Sequence, residues 1–484
     1  MRIGMFGSGA AMIFGTWLAA VSGCSTGDPA SPTMSGADAG NTGASTTVTF
    51  HKDVEPILQT HCQGCHVAGG IAPFTLTSYE DAKDSASEIV SATSKKIMPP
   101  WGAVSEPDCT PTHGFQQNPS LTDAQIATLA AWHDAGEPEG DPKDAPPPVG
   151  APVTDLPGVQ QKLAPAVPYT LTASGDQFRC FILDPQITTT KYMNGTFVVP
   201  GNAQIVHHAL LFADTKDEAK NNVPAGGTPG QYDCFGGPGI SSPTLVAAWA
   251  PGGVPAEYPS NIGMPIAPGT KFVMQVHYHP HTTVTNKTDT TTFQIRYTDA
   301  VPEYDVLNLL LGNAESASDG LLPGPDDPAS GPAFIIPANA KGHTEEIQYT
   351  MPQDIASIPG GLFLYSIAAH EHYVGVKQRI TIQHAAPTAD MPASECLLNV
   401  PQWDFNWQRF YAYQGDGTLE HLPQIAAGDT LDIKCTYDNT MDNPLLAESL
   451  HERQMNAPVD VKLGETTLDE MCLGGFSLVH KHIP

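Results

Sequence analysis

Three histidine clusters and one methionine in the C-terminal two-thirds of the sequence carry side chains suited to hold metal ions. His207 and His208 lie in Ile205-Val206-His207-His208-Ala209-Leu210-Leu211-Phe212, and His277 lies in Met274-Gln275-Val276-His277-Tyr278-His279. His370 and His372 flank Glu371, and Met471 lies in Leu468-Asp469-Glu470-Met471-Cys472. Imidazole serves several transition metals, but two imidazoles with a thioether favour copper, above all reduced copper, over zinc or magnesium. Residues two apart on a strand project from one face, so His370 and His372 can reach one ion. Adjacent His207 and His208 point to opposite faces of a regular strand, so they share an ion only where the strand ends or bulges. His279 and His281 are expected to surround the His277 site or lie on the surface. No side-chain acid, base or nucleophile stands out, which leaves the chemistry to the metals.

A second constellation lies earlier. Cys62-Gln63-Gly64-Cys65-His66 is C-x-x-C-H, the attachment signature of c-type haem. Its thiols add across the haem vinyl groups, and His66 is placed to ligate iron. Met98, in Lys96-Ile97-Met98-Pro99-Pro100-Trp101, is the only methionine between His66 and Met193 and is expected as the opposite axial ligand, with His113 as its rival. Val54, Ile57 and Leu58 have helical spacing and lead into the motif. Thr122-Asp123-Ala124-Gln125 is a capping box that opens a helix carrying Ile126, Leu129, Ala130 and His133, stopped by Gly136. Two terminal helices around a C-x-x-C-H loop resemble the class I cytochrome c fold. That resemblance implies a small all-α domain over residues 49–144 with one covalently attached haem c.

The elements that must position the histidines read as strands. Forty-five Gly and 45 Pro among 484 residues, with 15% charged residues, suit β-rich domains with long loops. Short β-branched and aromatic runs such as 196–199, 272–278, 291–297 and 363–367, parted by Gly, Pro, Asn and Asp, predict antiparallel sandwiches. A net charge of −29 excludes nucleic acid as a partner, since nothing here neutralises phosphates. The apolar run Met5–Val21 after Arg2 ends in Val21-Ser22-Gly23-Cys24, which matches a bacterial lipobox with Cys24 as the lipidated residue. Residues 25–48 read as a flexible tether and 145–165 as a Pro-rich linker. No later apolar run approaches the ~18 residues of a membrane span. The expectation is a lipid-anchored protein of the bacterial cell envelope, periplasmic or outer-membrane-facing. Of nine cysteines, six remain after Cys24, Cys62 and Cys65, an even number that fits disulfides in an oxidising compartment.

His-His-x-Leu-Leu-Phe, Gln-Val-His-Tyr, His-x-His and Asp-Glu-Met-Cys, in that order, resemble the copper type II, ascorbate-dependent monooxygenases of the peptidylglycine and dopamine β-monooxygenase type. The resemblance spans essentially all of residues 166–484. It implies two jelly-roll-like sandwich domains, 166–301 and 302–484, holding two copper ions. His207, His208 and His277 would hold the electron-transfer copper; His370, His372 and Met471 would hold the copper that binds dioxygen and faces substrate. It also implies a Cys435–Cys472 disulfide. Cys180 with Cys234 fits the first copper domain, and elimination leaves Cys109 with Cys396. The family reaction inserts one atom of dioxygen into an unactivated C–H bond and reduces the other to water. Electrons would come from an external reductant or periplasmic donor, passed through the fused haem. Peptide-amidating members clamp a carboxylate at positions that are Ala368, Leu473 and Gly475 here, so a small, less polar substrate is expected. The alternative is a non-catalytic copper-binding or electron-transfer haem lipoprotein.

Overall fold

The computed structural model describes residues 47–483 except 69, 71, 149–154, 174, 252, 281–284, 325, 389–390 and 416–417. Cys24, the tether up to residue 46 and His281 lie outside the described residues. None of the described helices is long and apolar enough to cross a membrane.

Helices are few and concentrated early in the chain. Glu55–His61 leads into the C-x-x-C-H turn, Tyr79–Asp84 and Ala86–Ser94 follow, and Asp123–Asp134 comes last. The Asp123–Asp134 helix starts where the sequence says: Thr122 Oγ1 accepts the Gln125 N–H, and the Gln125 side chain accepts the Thr122 N–H. Its apolar face, with Leu129 and Trp132, packs on Phe50, Val54 and Leu58 to make a small core.

The expectation of a small all-α cytochrome c domain ahead of two sandwiches is corrected. The structure is mostly β-sheet, and residues 95–122, between the last two early helices, contain no helix. The middle of that stretch docks on the β core instead of on the helices. Trp101, Ala103 and Phe115 are buried in the β core, the Phe115 backbone bridges to Tyr413, and Cys109 is disulfide-bonded to Cys396. The cause is apolar: fully burying a large side chain stabilises by roughly 1.5–3 kcal/mol, and these rings find their partners in Tyr411 and Tyr413.

The β architecture is continuous between the two halves. Antiparallel neighbours run Gln177–Leu183, Lys271–Tyr278, Val206–Asp214, Thr244–Trp249, Tyr304–Gly312, Leu473–Lys481 and Leu362–His370. The strands that carry His207, His208 and His277 therefore share one sheet with those that carry His370 and lead away from Met471. A four-stranded sheet of Lys341–Thr350, Thr430–Asp438, Gly375–Gln383 and Ser394–Val400 packs beside it. Strand burial follows position: Thr430–Asp438 alternates between half-buried and buried, whereas Lys271–Tyr278 is buried almost throughout. Cys180–Cys234 and Cys435–Cys472 are both bonded.

The docked 101–117 segment rests on a polar anchor as well. His113 Nε2 lies 3.2 Å from Glu395 Oε1, Thr112 Oγ1 donates to the same carboxylate, and the other Glu395 oxygen faces the buried His384, itself 2.8 Å from Asp429. The hydrogen bond that His113 donates to Glu395 raises the histidine's pKa above the ordinary 6.5 against the opposing effect of burial. A raised folded value means this contact contributes fully below about pH 6.5 and is lost as pH rises through the folded value. Protease cleavage within residues 99–117 should consequently speed up between mildly acidic and mildly alkaline pH, and Glu395→Gln should flatten that dependence. Removing the Cys109–Cys396 bond should weaken docking at every pH by about 2–4 kcal/mol.

Candidate functional site

His277 is directly opposite His208 on the neighbouring strand, and Tyr278 is opposite Val206. The register thus skips His207. This bulge resolves the difficulty of two adjacent histidines, because an extra residue re-aims its side chain. The ligand-capable atoms of His207, His208 and His277 lie within 4.8 Å of one another. His207 Nδ1 and His208 Nδ1 are 3.2 Å apart. His277 Nδ1 is buried without a hydrogen-bond partner, as is His207 Nε2. The Nε2 of His277 faces Asp176 Oδ1 at 3.2 Å, an arrangement that fixes the tautomer and leaves Nδ1 as a lone pair. Burial, with mutual repulsion among the rings, holds the His207 and His208 pKa values well below 6.5, and burial also lowers that of His277. Neutral imidazoles with two orphaned nitrogens fit a metal ion, and an all-imidazole set suits copper.

The second set forms differently from the sequence expectation. The strand ends at His370, so His372 is on the following turn rather than two places along the strand. The rings still meet, with centroids 5.2 Å apart. His370 Nδ1 is 2.6 Å from Gln408 Oε1, and His372 Nδ1 is 3.1 Å from the Asp469 carbonyl, so both rings donate through Nδ1 and keep Nε2 free. Burial lowers the His370 pKa to about 4 and the His372 pKa to about 3. Met471 is buried and lines the same cavity as His370 and His372.

One carboxyl group joins the ligand turn to the methionine. Glu470 Oε1 accepts the backbone N–H groups of both His372 and Met471. The Met471 carbonyl accepts from Tyr437 Oη at 3.0 Å, and the next residue is tied to Thr430–Asp438 by Cys435–Cys472. Glu371 and Glu470 are both fully buried, and burial pushes Glu371 well above the usual carboxylate range and Glu470 up to about 8. Burial thus disfavours the charged form of both, which lets two carboxyls coexist beneath this site.

The two sets face each other. The His208 and His370 ring centroids are 6.1 Å apart. Phe405 stacks on His207 at 4.2 Å and lies 4.4 Å from Tyr373. A cavity of about 590 Å³ opens onto His208, His370, His372 and Met471, with apolar walls that include Val246, Trp249, Leu310 and Phe410. Ala368, Leu473 and Gly475 also line it.

The haem-type residues are elsewhere. Cys62 and Cys65 are free thiols on the turn after Glu55–His61, and burial pushes Cys62 up to about 12. His66 Nδ1 is 3.1 Å from the Phe74 carbonyl, which leaves Nε2 free. Met98 is 41% exposed on the turn after Ala86–Ser94. His113, its rival, is engaged by Glu395 and the His421 carbonyl on the β core.

Several residues at the site had no individual signal in the sequence. Asp176 and Tyr373 are unremarkable singly. Phe405 and Gln408 sit in Trp403-Asp404-Phe405-Asn406-Trp407-Gln408-Arg409-Phe410, whose aromatic density was the available clue. Replacing His277 with Ala should halve the copper bound per chain by removing one site, and His372→Ala should remove the other. Glu470→Ala should lower copper affinity at the second set about 10–100-fold while sparing the first, read by titration with a Cu(I) chelator.

Comparison with known proteins agrees with this geometry. Residues 167–285 match the N-terminal domain of the copper type II ascorbate-dependent monooxygenases. The chain is 26% identical over 244 residues to DBH-like monooxygenase protein 1 of Gallus gallus, covering 49% of this chain and 35% of that protein. It is 26% identical over 252 residues to the Homo sapiens protein of that name, covering 50% and 36%. It is 25% identical over 250 residues to tyramine beta-hydroxylase of Caenorhabditis briggsae, covering 50% and 37%. The chain thus spans little more than a third of the length of these relatives, and within that span its likeness is to copper-dependent monooxygenases.

Proposed function

We propose that this protein is a copper-dependent monooxygenase that hydroxylates a C–H bond of a small, largely apolar substrate with dioxygen. The observation that carries the reading is the pair of facing ligand sets: neutral imidazoles, with Met471 beside the second set, on one apolar cavity. Copper held there would supply one-electron reduction and oxygen activation, with the thioether side favouring the reduced metal.

The chain's own residues do the positioning. Gln408 and the Asp469 carbonyl hold His370 and His372 with Nε2 free, and Asp176 does the corresponding work for His277. The largely apolar walls lower the local dielectric, which strengthens electrostatic interactions inside the cavity. Ala368, Leu473 and Gly475 offer no charge, so shape and apolar contact select the substrate. Arg409 is the only guanidinium or ammonium lining the cavity among the described residues.

A covalently attached haem at Cys62 and Cys65, with His66 on iron, is part of the proposal. Three features support it. The thiols are unpaired, the His66 Nε2 is left free by the bond to Phe74, and the exposed Phe74 ring lies 4.6 Å from that of His66. Such a group would store and pass single electrons. Toward the second ligand set, Trp101 lies under the Arg409 guanidinium at 4.8 Å, and the adjacent Gln408 bonds His370. Export and lipidation at Cys24 complete the reading, supported by three disulfides, which belong to an oxidising compartment.

Copper-loaded protein with reductant should consume oxygen and place one atom of labelled dioxygen in product from a panel of small aromatic and aliphatic compounds. Oxygen uptake with no labelled product from any compound would instead favour a binding or oxidase role. Gln408→Ala should lower turnover about 10–100-fold. Protein matured in a haem-competent host should carry a denaturation-resistant haem stain, lost when Cys62 and Cys65 are both Ser. A wild-type chain without that stain would remove the haem from the proposal.

A further inference from the structure

Between the two ligand sets lies a hydrogen-bonded bridge that the proposed chemistry does not itself require. Its centre is Asp176, whose side chain is 8% exposed. Oδ1 accepts from His277 Nε2 at 3.2 Å and from His279 Nδ1 at 2.6 Å. Oδ2 accepts from the Thr467 backbone N–H at 3.2 Å and from Thr467 Oγ1 at 2.7 Å, with Arg453 Nη2 at 3.7 Å. His279 continues the bridge, because its Nε2 accepts from Tyr373 Oη at 2.9 Å. Asp176, His277 and His279 belong to the first half of the β structure. Thr467 is four residues before Met471, and Tyr373 directly follows His372.

We propose that Asp176 is a positioning residue that clamps the two metal-ligand sets face to face, holding His277 with one oxygen and the Met471 loop with the other, while His279 ties Tyr373 to the same carboxylate. The chemistry of the contacts favours a strong clamp. A carboxylate with several donors makes charge-assisted bonds, roughly twice as strong as neutral ones, in a site shielded from water. Phe405 fills the space alongside, between His207 and Tyr373. The consequence is that the two sets are held facing each other, with the His208 and His370 rings 6.1 Å apart. That functional consequence rests on the copper reading; the clamp is a property of the metal-free chain.

The test has two arms. In the first, amide hydrogen exchange is measured on metal-free full-length protein. Asp176→Ala should accelerate exchange of residues 465–471 and 373–375 by about tenfold or more, with the helix Asp123–Asp134 unchanged as an internal control. Tyr373→Phe, which removes one hydroxyl, and Thr467→Val should each give a smaller local increase, and they decide the question if Asp176→Ala does not fold. In the second, copper-loaded protein is titrated with a Cu(I) chelator: Asp176→Ala should weaken the first set about 10–100-fold, and Asp176→Glu should restore part of that loss. Unchanged exchange in all three variants overturns the clamp. Accelerated exchange in a chain that binds no copper would uphold the clamp and remove the copper reading instead.

Discussion

Buried imidazoles that must stay neutral are the constraint around which this structure is organised. His207, His277 and His372 are almost wholly inaccessible, and His208 and His370 face an apolar cavity. Charging any of them would cost the desolvation of an ion next to its neighbours, so their pKa values are driven down. A neutral imidazole keeps a lone pair, and a lone pair in a dry site needs a donor or a metal. Asp176, Gln408 and the Asp469 carbonyl accept from one nitrogen each of His277, His370 and His372 and leave the other with its lone pair. Such an arrangement is costly to maintain in a metal-free chain and is offset when an ion binds, because the free energy of binding adds to that of folding.

Everything near the cavity follows from holding those rings still. Carboxyl chemistry is used in two opposite ways. Asp176 accepts from two histidines, while burial disfavours the charged forms of Glu371 and Glu470, and Glu470 uses Oε1 on the His372 and Met471 backbone. The loop that carries Phe405, Gln408 and Arg409 reaches from one ligand set to the other and on to Trp101 of the docked N-terminal stretch. The fold accordingly links three chemically distinct regions through a few side chains rather than through broad surfaces.

How much of this was legible in the sequence depends on the range of the interaction. The histidine and methionine motifs could be read because ligand types and local spacing are properties of short segments, and the need for a strand end or a bulge at His207–His208 could be stated before the register showed a bulge. The capping box at Thr122 was equally local. His372 shows the limit. An alternating pattern predicts a strand through it, but the short-range pattern does not reveal that Glu470, nearly a hundred residues later, captures its backbone and ends the strand at His370. The same limit produced the error over residues 49–144. Helical spacing near Val54 and Ile126 was correct locally, yet the burial of Trp101 and Phe115 against Tyr411 and Tyr413 is a long-range outcome that makes the stretch part of the β core. Asp176 and Tyr373 became visible only once the two halves were side by side.

The central claim is that imidazoles distant in sequence form two copper sites, one of which includes a single thioether. X-ray absorption at the copper edge of the reduced, copper-loaded protein tests it most directly. The account predicts two coppers per chain, a first shell dominated by imidazole nitrogen, and one sulfur neighbour for every two coppers that vanishes in Met471→Ile. A copper shell with no sulfur in the wild-type protein, or sulfur that persists unchanged in Met471→Ile, would contradict it.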